Sequence, residues 1–192
     1  MDCPADATAN RVRTLDIRML AGDAAVHSDM LMWHPAAPVE AAARQLHGAL
    51  YSVPQVSVRL SDLSPEHRQM LAFWLRLWRD YGDVLSSGAV EPGRPDELYH
   101  TVVASAGPRA VVASYVGGPV AVDCGRWSEV VIVNATATSR VVLDLSGHAR
   151  ADLDIRDALG RPVEHFSQTL QPGLLELSIP ASGLCLISGA DG

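Results

Sequence analysis

Ala24-Ala25-Val26-His27-Ser28, then Val39 to Leu50, then Gln55-Val56-Ser57-Val58-Arg59-Leu60 decide how the first half of this chain folds. The first stretch is a short apolar run, sized for a buried strand. The second is Ala-rich, with Ala42, Ala43, Leu46 and Leu50 along one side, so a helix there can lie close to a sheet. Pro38 suits its first turn. The third stretch alternates apolar and polar residues, as a strand does. Working outward, Asn10 to Ala21 carries Val12, Leu15 and Met19 at helical spacing, with Gly22 as a stop. On the far side, Ser64-Pro65-Glu66 opens a helix with a capping Ser, a Pro at the first position and an acid near the positive dipole end. That helix is expected to run to about Tyr81, to end at Gly82 and to bury Met70, Leu71, Trp74, Leu77 and Trp78. Trp74 and Trp78 stand one turn apart and read as core rather than as a binding platform. Strand, helix, strand, helix in steps of roughly 30 residues is the rhythm of a parallel α/β layer or barrel. Two units fall far short of a closed (β/α)₈ barrel, which takes roughly 250 residues.

The chain changes character near residue 90. Gly88-Ala89-Val90-Glu91-Pro92-Gly93-Arg94-Pro95 is a Pro/Gly connector. The expected organisation is a helical and strand part at 1–88, a linker at 89–97 and an all-β part at 98–192. Candidate strands of the last part are Tyr99–Ser105, Ala110–Tyr115, Glu129–Asn134, Arg140–Leu145, Ala151–Asp157, Leu174–Ile179 and Leu184–Ser188. Turn residues such as Gly117-Gly118-Pro119 and Pro172-Gly173 separate them. Short strands at this spacing suggest an antiparallel sandwich. The expected fold is therefore α+β in two parts: the last two βα units of an incomplete (β/α)₈ barrel, then an all-β antiparallel sandwich.

Composition narrows the function classes. The formal charge of −7 over 192 residues excludes a basic nucleic-acid-binding face and fits a neutral partner such as a sugar. No apolar run reaches the length of a membrane span, and no secretory apolar segment follows Met1-Asp2-Cys3-Pro4, so a cytoplasmic setting is expected. Cys3, Cys124 and Cys185 are distant and odd in number, which suits neither a disulfide framework nor a zinc ligand set. His27 and His34 match no zinc spacing, and no metal is expected. Asn134-Ala135-Thr136 fits a glycosylation acceptor pattern, relevant only to a secreted chain.

A resemblance adds to this reading. The string Ala25-Val26-His27-Ser28-Asp29-Met30-Leu31-Met32-Trp33-His34-Pro35 resembles the late barrel of family-36 glycoside hydrolases, the alpha-galactosidases or melibiases. Ala41 to Leu46, Val53 to Val58, His67, Met70-Leu71, Phe73-Trp74-Leu75 and Asp83-Val84-Leu85 continue it. Further on, Val130 to Thr136, Asp157-Ala158-Leu159-Gly160 and Ile179 to Leu184 follow in order. The resemblance implies a (β/α)₈ catalytic barrel with a C-terminal β-sandwich. Residues 24–28 and 55–60 would be barrel strands seven and eight. His27 to Leu31 would be a loop at the C-terminal end of a strand, the active face of such barrels.

The chemistry implied is retaining hydrolysis of terminal alpha-galactosides in oligosaccharides, without a cofactor. It needs two carboxyl groups roughly 5 Å apart. The nucleophile belongs in a Lys-x-Asp-like motif on strand four, and this chain holds no lysine. The acid/base belongs after strand six, where Asp2-Cys3-Pro4-Ala5-Asp6 resembles the tail of the motif. Asp2 is the candidate by position, and Asp6 is second. His27, Asp29 and Trp33 are candidate substrate contacts. The other reading of Asp29 is a residue that orders a local turn, and of Trp33 one packed against neighbouring helices. Asp62 could approach the active face or only order the loop before Ser64. The chain alone is expected to be inactive, and unpartnered barrel edges are expected to favour self-association. The rival reading is a non-catalytic module, structural or carbohydrate-binding, built on the sandwich.

Overall fold

The computed structural model describes residues 6–22 and 24–189. The fold is α+β, and its sheets are open. Helix α1 spans Ala7–Ala21 and is capped by Asp6, whose carboxylate accepts the Thr8 N–H at 2.9 Å. It stops at Gly22, where φ is 59°. Its inner face differs from the apolar stripe expected. Leu15 is buried, but Met19 is 47% exposed, and Arg11, Thr14 and Arg18 are buried instead. The reason is hydrogen bonding to backbone. Arg18 donates to the Gly22 and Gly88 carbonyls, and Arg11 to that of Leu98. Long guanidinium arms thereby join the helix to loops that an apolar chain would leave unsatisfied.

Strands β1 (His27–Leu31) and β2 (Val53–Val56) pair in parallel, with helix α2 (Val39–Gly48) between them in sequence. The parallel strand–helix–strand unit is as expected, but its register is not. The strands were expected at 24–28 and 55–60. The Val53 N–H donates to the Val26 carbonyl and the Ser57 N–H to that of Leu31, so pairing covers 26–31 and 53–57. Residues 27–31 are therefore the strand itself, not a loop at its end. Ala24 and Ala25 are exposed and have too little side chain to hold a strand against the core. Downstream, a 3₁₀ turn at Leu60–Asp62 ends the extended run before the next helix.

Helix α3 (Pro65–Asp80) starts as the sequence indicates, with the Ser64 hydroxyl accepting the His67 N–H. It ends at Asp80 with Tyr81 as its C-terminal cap, as the sequence indicates, but no loop follows. A further helix α4 (Gly82–Ser87) buries Val84 and Leu85. The expected linker also contains structure: β3 (Ala89–Pro92) pairs antiparallel with β4 (Thr101–Ala106). Proline is tolerated there because β3 is an edge strand.

The remaining strands are β5 (Arg109–Ser114), β6 (Pro119–Asp123), β7 (Glu129–Asn134), β8 (Arg140–Ser146), β9 (Ala149–Arg156), β10 (Pro162–Leu170), β11 (Gly173–Ser178) and β12 (Leu184–Gly189). They form a seven-stranded sheet, β10-β9-β12-β7-β5-β4-β3, and a three-stranded sheet, β11-β8-β6. The expectation of a purely antiparallel arrangement is corrected, since β5–β7 and β6–β8 are parallel pairs. The chain leaves one sheet at β6, returns at β7 and leaves again at β8. Each crossover brings a strand back in the same direction beside an earlier one.

Two cores follow from this layering. One lies between the larger sheets, with Val112, Ile132, Leu143, Leu153 and Ile155 fully buried. The other lies between the seven-stranded sheet and the helices, with Val111, Val131 and Val133 facing Leu15, Ala42, Met70 and Trp74. β5 and β7 are covered on both faces, which is why they read as unbroken apolar runs rather than alternating ones. Three of the motif segments singled out in the second half sit where these layers join. Trp74 Nε1 donates to the Ala158 carbonyl, and the Ser182 hydroxyl donates to the Glu40 carbonyl. Asn134 ties together the loops beside them.

Gly160 gives a first test of this joint. Its φ is +78°, and a Cβ there would lie 2.3 Å from Phe73 Cδ2 on α3. Gly160→Ala combines left-handed strain of about 1–2 kcal/mol with an overpacking cost of about 1–3 kcal/mol. Urea denaturation is expected to show a loss of about 2–5 kcal/mol. A loss within about 0.5 kcal/mol of zero would mean that the turn and Phe73 do not constrain each other.

Candidate functional site

A cleft of about 630 Å³ opens between α1 and the β1–β2 pair. It is built by two spacings. Arg13, Asp16 and Ile17 share the outer face of α1 at i, i+3 and i+4. His27 and Asp29 lie two apart on β1, and Gln55 faces them from β2. Ser28 between them also lines the cleft, is buried, and accepts the Gln55 N–H at 2.9 Å. That bond joins the strands under the cleft floor. The Gln55 amide reaches His27 Nδ1 at 3.5 Å.

Opposite charges face each other across the opening. Arg13 Nη1 stands 3.8 Å from Asp29 Oδ2, with the arginine side chain half exposed. Such a pair is worth about 0–1 kcal/mol. Asp16 Oδ1 accepts the Tyr99 hydroxyl at 2.5 Å. Tyr99 is buried, and its hydroxyl is pushed above its ordinary pKa first by that bond to Asp16 and then by burial. The phenol therefore stays protonated and fixes the Asp16 carboxylate. Leu98 and Tyr99 both have positive φ, at 56° and 53°. The strained pair is held by Leu98 N–H to Pro95 O and Tyr99 N–H to Arg94 O.

The sequence candidates divide. His27 and Asp29 meet in the cleft. Trp33 does not line it: the ring is half-buried, packs on the helical core and meets the His67 ring edge-on at 6.3 Å. Asp6 serves as the α1 cap. Asp62 is exposed in the 3₁₀ turn, where it accepts the Ser61 hydroxyl. Asp2 lies outside the described residues, as does Cys3. Asn134, the glycosylation candidate, is fully buried, with its amide nitrogen donating to three carbonyls, so it offers no acceptor to an enzyme on the folded chain. Sequence reasoning missed Arg13, Asp16 and Tyr99. The i, i+3 spacing of Arg13 and Asp16 on α1 was the available signal.

Two carboxylates, an imidazole, a carboxamide and a guanidinium in one cleft can both donate to and accept from a ligand carrying several hydroxyls. Among the described residues, no group of three or more His, Cys, Asp or Glu is placed to hold a metal. No helix there is long and apolar enough to cross a membrane. Comparison of the chain with protein-family models, with curated proteins and with solved structures finds no match.

Proposed function

We propose that this chain is the C-terminal part of a retaining glycoside hydrolase resembling the alpha-galactosidases, acting on terminal alpha-galactosides of oligosaccharides. Residues 1–88 would supply the last two strand–helix units of a (β/α)₈ barrel, and residues 98–192 a β-sandwich that supports it. The observation carrying this reading is the parallel β1–α2–β2 unit with a polar cleft at His27 and Asp29. Among the described residues the parallel sheet has two strands, fewer than a complete layer holds, and neither outer edge pairs with a further strand. In this reading Asp29 and His27 bind sugar hydroxyls, and Asp16, held by Tyr99, is a further contact. The nucleophile comes from strands outside this chain.

The purified chain is expected to leave an aryl alpha-galactoside intact. D-galactose is expected to shift the NMR signals of His27 and Asp29 in a saturable way, and D-glucose less so. Asp29→Asn should weaken that response about tenfold or more, the loss of a charged hydrogen-bond acceptor. Galactose shifts that never saturate, or that are equal with glucose, would remove the basis for this glycone.

The open edges carry a prediction of their own. Leu20 is 88% exposed, with Met32 at 55% and Met30 at 47%. Such residues beside unpaired strand edges favour self-association. Sedimentation velocity is expected to show concentration-dependent assembly, reduced by Leu20→Glu combined with Met30→Glu. Monomeric behaviour at all concentrations would argue against an incomplete layer.

The non-catalytic reading finds less support as a sugar-binding module. In the β-rich part Tyr99 and Trp127 are buried, and Tyr115 and Phe166 are half-buried. None of these rings presents an exposed platform for a pyranose, so a supporting role for these sheets fits better.

A further inference from the structure

The N-terminal end of α1 meets α2 and the turn after β7 around a second cavity, of about 300 Å³. Two guanidinium groups line it, Arg11 from α1 and Arg44 from α2, beside the Tyr115 ring. Arg11 is only 6% exposed. Its Nε donates to the Leu98 carbonyl at 3.0 Å, and its guanidinium carbon lies 4.2 Å from the centre of the Tyr115 ring. These contacts hold the group in one orientation without neutralising it. Burial works against its charged form and is the largest influence on it, with Tyr115 and Asp6 acting the other way.

Asp6 also stands on the wall, but its Oδ1 accepts the Thr8 N–H. Among the described residues, neither Arg11 nor Arg44 forms an ion pair within 4 Å of a carboxylate. Two cations thus share a small cavity with one carboxylate already engaged. The Thr136 hydroxyl is engaged as well, donating to Asn134 Oδ1 at 2.7 Å. Among the described residues the remaining donors are guanidinium N–H groups, which in a fork suit an anion with several oxygens. The chain as a whole carries −7, so no diffuse attraction would bring an anion to this surface. Binding would depend on these two side chains.

We propose that this cavity binds a small tetrahedral oxyanion, a phosphate or sulfate group, between Arg11 and Arg44. The site is separate from the cleft at His27 and Asp29, and the proposal stands whether or not that cleft binds a sugar. Its volume admits the anion alone or as an ester of a small organic group.

The test uses the whole chain and inorganic phosphate, followed by NMR at constant ionic strength, with chloride as the control. The backbone amides of Arg11, Arg44 and Gly48 are expected to shift in a saturable way with phosphate and not with chloride. Arg44→Gln should weaken the affinity about tenfold or more, as the loss of a charged hydrogen-bonding partner does. Arg44 is half-buried and forms no hydrogen bond with a described residue, so this variant should keep its thermal midpoint in chloride. Arg11→Lys keeps the charge and loses the fork, and should weaken binding as well. Sulfate should compete and acetate should not. Shifts that match those in chloride, or an affinity unchanged in Arg44→Gln, would overturn the site. Acetate binding as tightly as phosphate would overturn its tetrahedral character.

Discussion

Lowering the pH from 6.5 to 4 is expected to cost the fold about 3 kcal/mol through a single side chain, His47. The ring is fully buried under α2, meets Trp74 of α3 edge-on at 4.2 Å, and has no hydrogen-bond partner on either nitrogen. Burial pulls its pKa down to about 3, and the nearby Arg44 acts in the same direction. The unfolded chain protonates the same imidazole near pH 6.5. Between those values the unfolded state holds one more proton, so stability rises with pH. The contribution of the neutral ring is complete above about pH 6.5 and is lost as pH falls toward 3, at about 1.4 kcal/mol per unit.

Carboxylates titrate in the same range, so the measurement is a difference. His47→Leu gives up an aromatic contact of about 0.5–1.5 kcal/mol. It also removes two unpartnered nitrogens, which offsets about 1–3 kcal/mol. Near pH 7.5 the variant should be about as stable as the parent. In urea titrations at lower pH it should become steadily the more stable of the two. Parallel pH profiles for parent and variant would show that the buried imidazole finds its proton without unfolding.

His47 also shows why part of this fold was hidden in the sequence. The Ala42, Ala43, Leu46 and Leu50 stripe marked the buried side of α2, and a histidine beside it carries no mark of its own burial. The strands covered on both faces were plain, because β5 and β7 carry unbroken apolar runs, Ala110 to Ala113 and Val130 to Val133. β10 was missed because this edge strand leaves most of its side chains exposed, and only Phe166, Gln168 and Leu170 near its end turn inward. β3 and β6 were missed because Pro92 and Pro119 read as turn residues. Proline fits at an edge and at the first residue of a strand, and they occupy those places. The parallel pairing of β5 with β7 depends on which sheet β6 joins, and no local pattern carries that. In the cleft, His27 and Asp29 were legible from their shared motif. Asp16 and Tyr99 are 83 positions apart, and only the fold brings them together.

Asn134→Ala is expected to be the most damaging single truncation away from the apolar cores, at about 3–5 kcal/mol, several buried groups losing a partner at about 1–3 kcal/mol each. Asn134 Nδ2 donates to the carbonyls of Thr138, Ile179 and Pro180, and Oδ1 accepts the Thr136 N–H and hydroxyl. One carboxamide thereby fixes the end of β7, the turn into β8 and the loop before β12. That loop carries Ser182, which bonds the backbone of α2. Alanine satisfies none of these groups, and only the more exposed ones regain water. A marginal domain stability of about 5–15 kcal/mol leaves little after such a loss. Asn134→Asp separates hydrogen bonding from volume. It keeps the shape but turns a carboxylate toward three carbonyl oxygens in a buried place. Near neutral pH it should be worse than alanine. Protonation restores one donor and removes the charge, so the folded state should hold that proton more tightly than the unfolded chain does. Its stability should therefore improve as pH falls toward about 4, the range in which an unfolded Asp titrates, relative to Asn134→Ala at the same pH. The His47 contribution moves in the opposite direction and is common to both variants, so it cancels in that comparison. If Asp and Ala at 134 keep a constant difference from pH 7.5 to 4.5, the bonds of Asn134 do not hold the three segments together.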